Sequence, residues 1–319
     1  MTILYKILKQ LASRKKQWNI VTLFPGSLIA ILILTNATCK AQTDLSFSVG
    51  LQMNFAEIEL ETSEFESSFK DGAGIIVGIS KGLNETWSLH SGVGFNYFEA
   101  GNSINTYSSA EDAIDMDREA FEFRYSASNY SETQKLTAVS IPIAIQYESF
   151  GEVRFYSKIG AEANVFINEK SDARASSLTT SGFFPRFNAV LDGPEFAGFG
   201  TYANQKFNEK DLNIKSSFNA FLELGVKQIY PSGNALYVGG FFKYGLNDIS
   251  NGEESNGLIS YNSENPVDFR STSVLNALKN PQDGSERIST KANFHFFGIT
   301  LRYEFDLQFL KPTVKESKD

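Results

Sequence analysis

The chain has a single cysteine, Cys39, among its 319 residues. One thiol closes no intrachain disulfide and builds no thiolate metal site. Histidine occurs twice, as His90 and His295, and the HExxH pair of zinc hydrolases does not occur. After residue 41 no run approaches the ~18 to 20 apolar residues of a helical span. Basic residues are outnumbered, 29 against 37 acidic, for a net charge of −8. A surface of that sign repels nucleic acid.

The N-terminus is built differently from the rest. Lys6, Lys9, Arg14, Lys15 and Lys16 form a basic stretch, the apolar run 20–34 follows, and Cys39-Lys40-Ala41 supplies a small-residue site. This order predicts an export signal over 1–41, cleaved before Gln42. A retained anchor is the alternative, but Pro25 and Gly26 interrupt the run and it is short for a span. A lipoprotein signal is disfavoured by Asn36 and Thr38 ahead of Cys39. Cleavage removes the cysteine and six of the 29 basic residues, leaving 23 against 37 acidic and a net of −14.

Beyond the signal, apolar residues recur at every second position in eight stretches. The hairpin 136–167 shows the pattern best. Val139, Ile141, Ile143, Ile145 and Tyr147 share one face, and Ala138, Ser140, Pro142, Ala144 and Gln146 the other. On its second arm Val153, Phe155, Ile159, Ala161, Ala163, Val165 and Ile167 oppose Arg154, Tyr156, Lys158, Gly160, Glu162 and Asn164. The same alternation marks 45–57, 72–81, 87–97, 218–227, 236–246 and 291–306. Strands of this kind exceed the ~5 to 6 residues of ordinary sheets. The connections alternate as well. Tight turns fall at 82–85, 149–152 and 231–234, and long connections lie before 72, where the loop is polar, and over 98–134, 169–213 and 247–289. One membrane side that tolerates only tight turns gives this rhythm, and a closed ring leaves no backbone edge in lipid. The expected fold is therefore all-β, an eight-stranded antiparallel up-and-down transmembrane β-barrel with an N-terminal signal peptide. Its parts would be the signal 1–41, the barrel 42–306 and a periplasmic tail 307–319. A soluble sandwich or lipocalin-like barrel is the alternative, with strands about half as long.

The stretches Lys40-Ala41-Gln42, Val139-Ser140-Ile141-Pro142-Ile143, Lys158-Ile159-Gly160-Ala161-Glu162 and Gly298-Ile299-Thr300-Leu301-Arg302-Tyr303-Glu304-Phe305 resemble porin-family outer-membrane β-barrels of the PorT-like kind. The resemblance implies location in the cell outer membrane, contact with its lipid, and a non-enzymatic structural or interaction role in the envelope. One branch of that family is similar to components of protein secretion, which implies envelope or secretion partners met through the long extracellular loops. Such barrels commonly end on an aromatic residue, whereas here 307–319 continues past Phe305.

An eight-strand lumen is only wide enough for side chains. The alternation turns Arg154, Lys158, Glu162, Glu223, Lys227, Lys243, Arg302 and Glu304 inward, where they must answer one another as ion pairs or, alternatively, line a narrow ion path. His90 is expected to face inward and His295 outward, so the two share no site. No catalytic residue, cofactor or metal ligand is assigned. Asp115, Asp117 and Glu119 open like a calcium loop, but Ala120 and Ser126 break the pattern. Phe183, Phe184, Phe187, Phe196 and Phe199 crowd the third long connection, either as a self-packed cap over the barrel mouth or as a docking surface.

Overall fold

A computed structural model of the chain describes residues 45–62, 64–251, 256–282 and 286–306. The expected signal 1–41 and the tail 307–319 lie outside the described residues. Eight long strands carry the fold: β1 Leu45–Leu60, β2 Glu66–Gly82, β3 Trp87–Ile114, β4 Ala120–Glu148, β5 Val153–Phe184, β6 Ser217–Ile229, β7 Ala235–Gly245 and β8 Ala292–Asp306. Each pairs antiparallel with the next, and β8 closes on β1 with Phe47 opposite Phe305 and Leu51 opposite Leu301. Closure leaves no open strand edge around the apolar belt, the condition for standing in hydrocarbon.

The alternation sets which way each face looks. Leu51, Met53, Ile75, Val77, Leu89, Val93, Ile143, Leu222, Leu224, Val238 and Ile299 are exposed on the outside, while Gln52, Asn54, Asn96, Ser140, Asn164 and Asn219 between them are buried inside. Aromatic pairs edge this belt. Trp87 meets Tyr147 at 5.2 Å and Tyr303 meets Phe305 at 4.8 Å near the tight turns, and Phe297 meets Phe55 at 5.4 Å and Phe69 at 5.1 Å at the other end. Amphipathic rings at both headgroup levels fix the depth of such a belt.

The long connections differ most from the sequence reading. Residues 98–134 are not a loop: β3 and β4 run 28 and 29 residues and meet at a short turn over 115–119, where the Asp115 carboxylate accepts the Asp117 and Glu119 amides at 2.9 and 2.8 Å. The first connection shrinks to 61–65, because β2 begins at Glu66. β5 runs 32 residues, so the first part of 169–213 is also strand. At ~3.3 Å per residue it extends for roughly 100 Å, although about 11 residues cross a membrane.

What lengthens these strands is an inversion of polarity. Above Tyr97 the inward residues become Phe98, Ala100, Phe121, Phe123, Tyr125, Tyr130, Leu136, Phe166 and Leu178, all buried. The outward ones become Glu99, Arg124, Lys135 and Arg174. Inside the bilayer grease faces out and polarity in; above it, water outside and a protein core inside demand the reverse. That core is completed by the last connection, whose Ile249, Leu258, Ile259, Phe269, Val274 and Leu275 are buried against the inner face of the extended strands.

Candidate functional site

All eight charged residues singled out above lie on the lumen face, together with Glu148, the last residue of β4. The eight alone comprise five cations and three anions. That excess of positive charge was the signal for a missing carboxylate. Glu148 supplies it, lying 3.2 Å from Arg154 and 3.0 Å from Lys227, with Tyr237 Oη at 3.1 Å. Lys227 also reaches Glu304 at 3.5 Å, and Tyr237 Oη lies 3.0 Å from the same carboxylate.

One layer further in, Lys158 pairs with Glu223 at 2.5 Å and Tyr156 donates to that carboxylate at 2.9 Å. Among the described residues Arg302 makes no ion pair with a carboxylate at contact distance. It donates to Gln146 Oε1 at 2.8 Å and lies over the Tyr237 ring at 3.9 Å. Tyr156 can lie flat across β6 and β7 because Gly225 and Gly239 stand beneath it; a Cβ at Gly239 would come within 2.3 Å of the Tyr156 hydroxyl.

The third layer is Lys243 and Glu162, 2.7 Å apart and 4% and 1% exposed. Rings of Phe221, Phe241 and Phe296 stand 5.5, 5.0 and 5.0 Å from the ammonium. A cation that has lost water gains from such faces. Above it a chain of uncharged bonds crosses the barrel: Asn96 to Ser140 at 2.7 Å, Ser140 to Asn164 at 2.5 Å, Asn164 to Asn219 at 3.0 Å, and Asn219 to the Phe294 carbonyl at 2.8 Å. Phe98, Phe294 and Phe296, with centroids 4.7 to 5.2 Å apart, then begin the apolar core.

Two buried carboxylates fasten the last connection into that core. Glu132 accepts from the Val274 amide at 2.9 Å, from Gln134 at 3.0 Å and from the Ser273 hydroxyl. Glu111 accepts from the Ser260 hydroxyl at 3.1 Å and the Gly257 and Tyr261 amides at 3.3 Å. Burial pushes both carboxyls above the ordinary carboxylate range, and these hydrogen bonds hold them partly back.

The five phenylalanines of the third connection do not form one surface. Phe184 and Phe199 are buried, packed on Phe121 at 5.0 and 5.6 Å, so neither is available to a partner. Phe183 is the penultimate residue of β5 and lies under the Arg124 guanidinium at 4.9 Å. Phe187 and Phe196 are exposed, 61% and 78%. The third long connection is not all loop, since β5 reaches Phe184 and a short strand Gly200–Lys206 pairs back on it. Phe183 and Phe184 alternate as strand neighbours do, whereas Phe187 and Phe196 sit in short 3-10 turns.

His90 faces the lumen, its Nε2 2.8 Å from the Ser88 hydroxyl and its Nδ1 3.3 Å from Arg302. His295 sits between inward Phe294 and Phe296 and so belongs to the outer face, yet it is buried there: Tyr244 stacks on it at 4.5 Å, Glu59 lies 3.0 Å from Nε2, and the Gly245 amide donates to Nδ1 at 3.0 Å. Gly78-Ile79-Ser80-Lys81-Gly82 spells the nucleophile-elbow pattern GxSxG, but it lies within the extended strand β2, with no strand-to-helix turn to present the serine. Ser80 donates to Glu304 at 3.1 Å and is part of the lumen network.

The model of the outer membrane protein beta-barrel domain family matches residues 40–251. No curated protein matches the sequence. Among solved structures the chain is similar to Neisserial surface protein A (11% identity, TM-score 0.31, 82% of this chain and 96% of that one). It is also similar to the attachment invasion locus protein Ail of Yersinia pestis (9%, TM-score 0.29, 82% and 99%). A third is the translocator domain of the autotransporter NalP from Neisseria meningitidis (10%, TM-score 0.21, 88% and 95%).

Proposed function

The chain belongs to the outer membrane protein beta-barrel domain family and so resides in the cell outer membrane, and from that premise we propose a non-enzymatic barrel, closed to solutes, that anchors an interaction platform outside the cell. One observation carries this reading. Two unlike seals are stacked along one axis, a lumen whose charges are held in ion pairs or, at Arg302, by an amide oxygen and an aromatic ring, and an apolar core above it held by the last connection. A conducting pore needs a continuous polar path. Here an ion would have to open the Lys243–Glu162 pair at 2.7 Å and then cross the Phe98, Phe294 and Phe296 cluster.

The platform is the extension of β3, β4 and β5, polar outside and presenting Phe187 and Phe196 at its far end. Envelope proteins, including those of secretion, are the partners such a platform suits. Purified barrel in a planar bilayer is expected to show no stepwise current over a wide voltage range. Discrete conductance steps, blocked when the last connection is cross-linked to β4, would show instead that the cap is a gate and the protein a narrow channel.

A further inference from the structure

Across the extended sheet, four neighbouring strands lose their pairing at one level. Ile104 pairs with Tyr130 and Thr106 with Ser128, but Asn105 and Asn129 between them make no rung. Ser131 pairs with Arg174 and Ser128 with Ser177, with the rungs between missing. Ala175 pairs with Gln205 and Ser177 with Ala203, and Ser176 and Asn204 are skipped. The register is the same on either side, so no residue has been inserted. Instead the faces exchange. The inward set changes from Asn102 to Tyr107 on β3, from Ala127 to Tyr130 on β4 and from Ala175 to Leu178 on β5.

Asn129 and Asn204 make the exchange possible by taking positive φ, 47° and 52°, which asparagine tolerates better than most residues. Two adopting it at one level on strands that flank β5 is a costly arrangement, of the kind concentrated at binding sites. The result is a transverse crease of about 500 Å³, lined by Ser103, Asn105, Asn129, Ser131, Arg174, Ser176, Asn204 and Lys206 among others.

The chemistry of the crease is narrow. No carboxylate lines it, and its charges are Arg174 and Lys206. Arg174 is steadied by donating from Nε to Ser131 at 3.1 Å. Among the described residues no hydrogen bond engages the side chains of Asn105, Asn129, Ser176 or Asn204, and the skipped rungs leave backbone donors and acceptors of the same strands unladdered. Amides and hydroxyls at ~4.8 Å spacing, one strand apart, match successive pyranose rings of similar length. Two cations without an anion select sugars that carry phosphate or carboxylate.

Position names the source. Asn105 stands eight residues above Tyr97 of the outer girdle, roughly 20 Å once strand tilt is allowed for, and the crease opens sideways from the sheet rather than at its tip. What stands beside a barrel at that height is the sugar chain of the outer leaflet's glycolipid. We infer that this crease binds a phosphate- or carboxylate-bearing segment of that glycolipid's sugar chain. The inference is independent of whether the lumen conducts.

The test uses the full chain in uncharged micelles, titrated with oligogalacturonate, with polyglutamate of equal charge and with lipopolysaccharide. Oligogalacturonate is expected to saturate a site that Ser176→Trp weakens about tenfold or more, as does the double change Arg174→Gln with Lys206→Gln. Ser103→Trp, which narrows the crease from β3, should do the same should Ser176→Trp fold poorly. Lipopolysaccharide should compete for that site. Polyglutamate binding as well as the sugar, or sugar binding indifferent to both tryptophans, overturns the site. Failure of lipopolysaccharide to compete overturns the glycolipid as its occupant.

Discussion

The Lys243–Glu162 pair gives the sharpest test of how the lumen is sealed. Its ammonium and carboxylate are 2.7 Å apart, nearly without exposure, and ringed by Phe221, Phe241 and Phe296. Replacing either partner leaves an uncompensated charge in a space that cannot hydrate it, a loss of about 3–5 kcal/mol. Lys243→Met and Glu162→Gln are each expected to lower stability by that amount. The double variant should recover most of it, because Met fills the aromatic pocket and Gln can serve as donor and acceptor to its neighbours. The coupling from the four-way cycle should then exceed about 2 kcal/mol. Urea-induced unfolding from lipid vesicles, followed by tryptophan emission and by band shift on unheated gels, measures all four proteins. Effects of the two single changes that simply add would refute the reasoning, since they would mean that each charge is satisfied by something other than its partner.

Three further outcomes follow from the same structure. Glu132→Leu strips the Ser273 hydroxyl and the Val274 amide of their acceptor at a cost of about 1–3 kcal/mol; hydrogen exchange over 256–282 should quicken while the barrel strands stay protected. With native Glu111 and Glu132, whose carboxyls burial raises, the docked connection holds a proton at a pH where the released one does not. Its stability is therefore greatest at and below the ordinary carboxylate range and is lost as pH rises through the raised values. Exchange of the same segment, corrected for its intrinsic pH dependence, should slow on acidification from neutral. Leu222→Arg, on the exposed belt, should cost about 2–4 kcal/mol in vesicle folding titrations, and an unchanged folding midpoint would place that face away from lipid.

The barrel was legible because a membrane writes a simple rule: inside hydrocarbon, every second residue must be apolar. Val139 to Tyr147 obeys it without exception, and so its strand, its facing and the charges opposite it follow from spacing alone. The extension obeys an equally strict alternation in the opposite phase, as Phe121, Phe123, Tyr125 and Ala127 show. Three local breaks concealed it. At Asn129 the face exchanges without an inserted residue, and at Ser176 it does so again. Between Asn168 and Phe166 the pairing with Thr137 and Ala138 slips by one, pushing Ile167 out of step. Residues on either side of such a break look like two short irregular pieces. Glu148 escaped for a different reason: a charged residue at the mouth of a tight turn usually belongs to water, and only the unbalanced cations of the lumen argue that it turns inward. The fastening of the last connection by Glu111 and Glu132 could not be read at all, since the partners lie more than 140 positions apart in the chain.

Because β3, β4 and β5 each run as one strand from the tight turns to the outer tip, with the same register on both sides of the level where their faces exchange, tip and anchor are one body. A tether pulling outward at 115–119 would load dozens of rungs side by side, in shear, instead of peeling them open one after another. The part embedded in lipid then serves as ballast for whatever the tip holds, and an attachment made there would fail at the attachment before the strands let go.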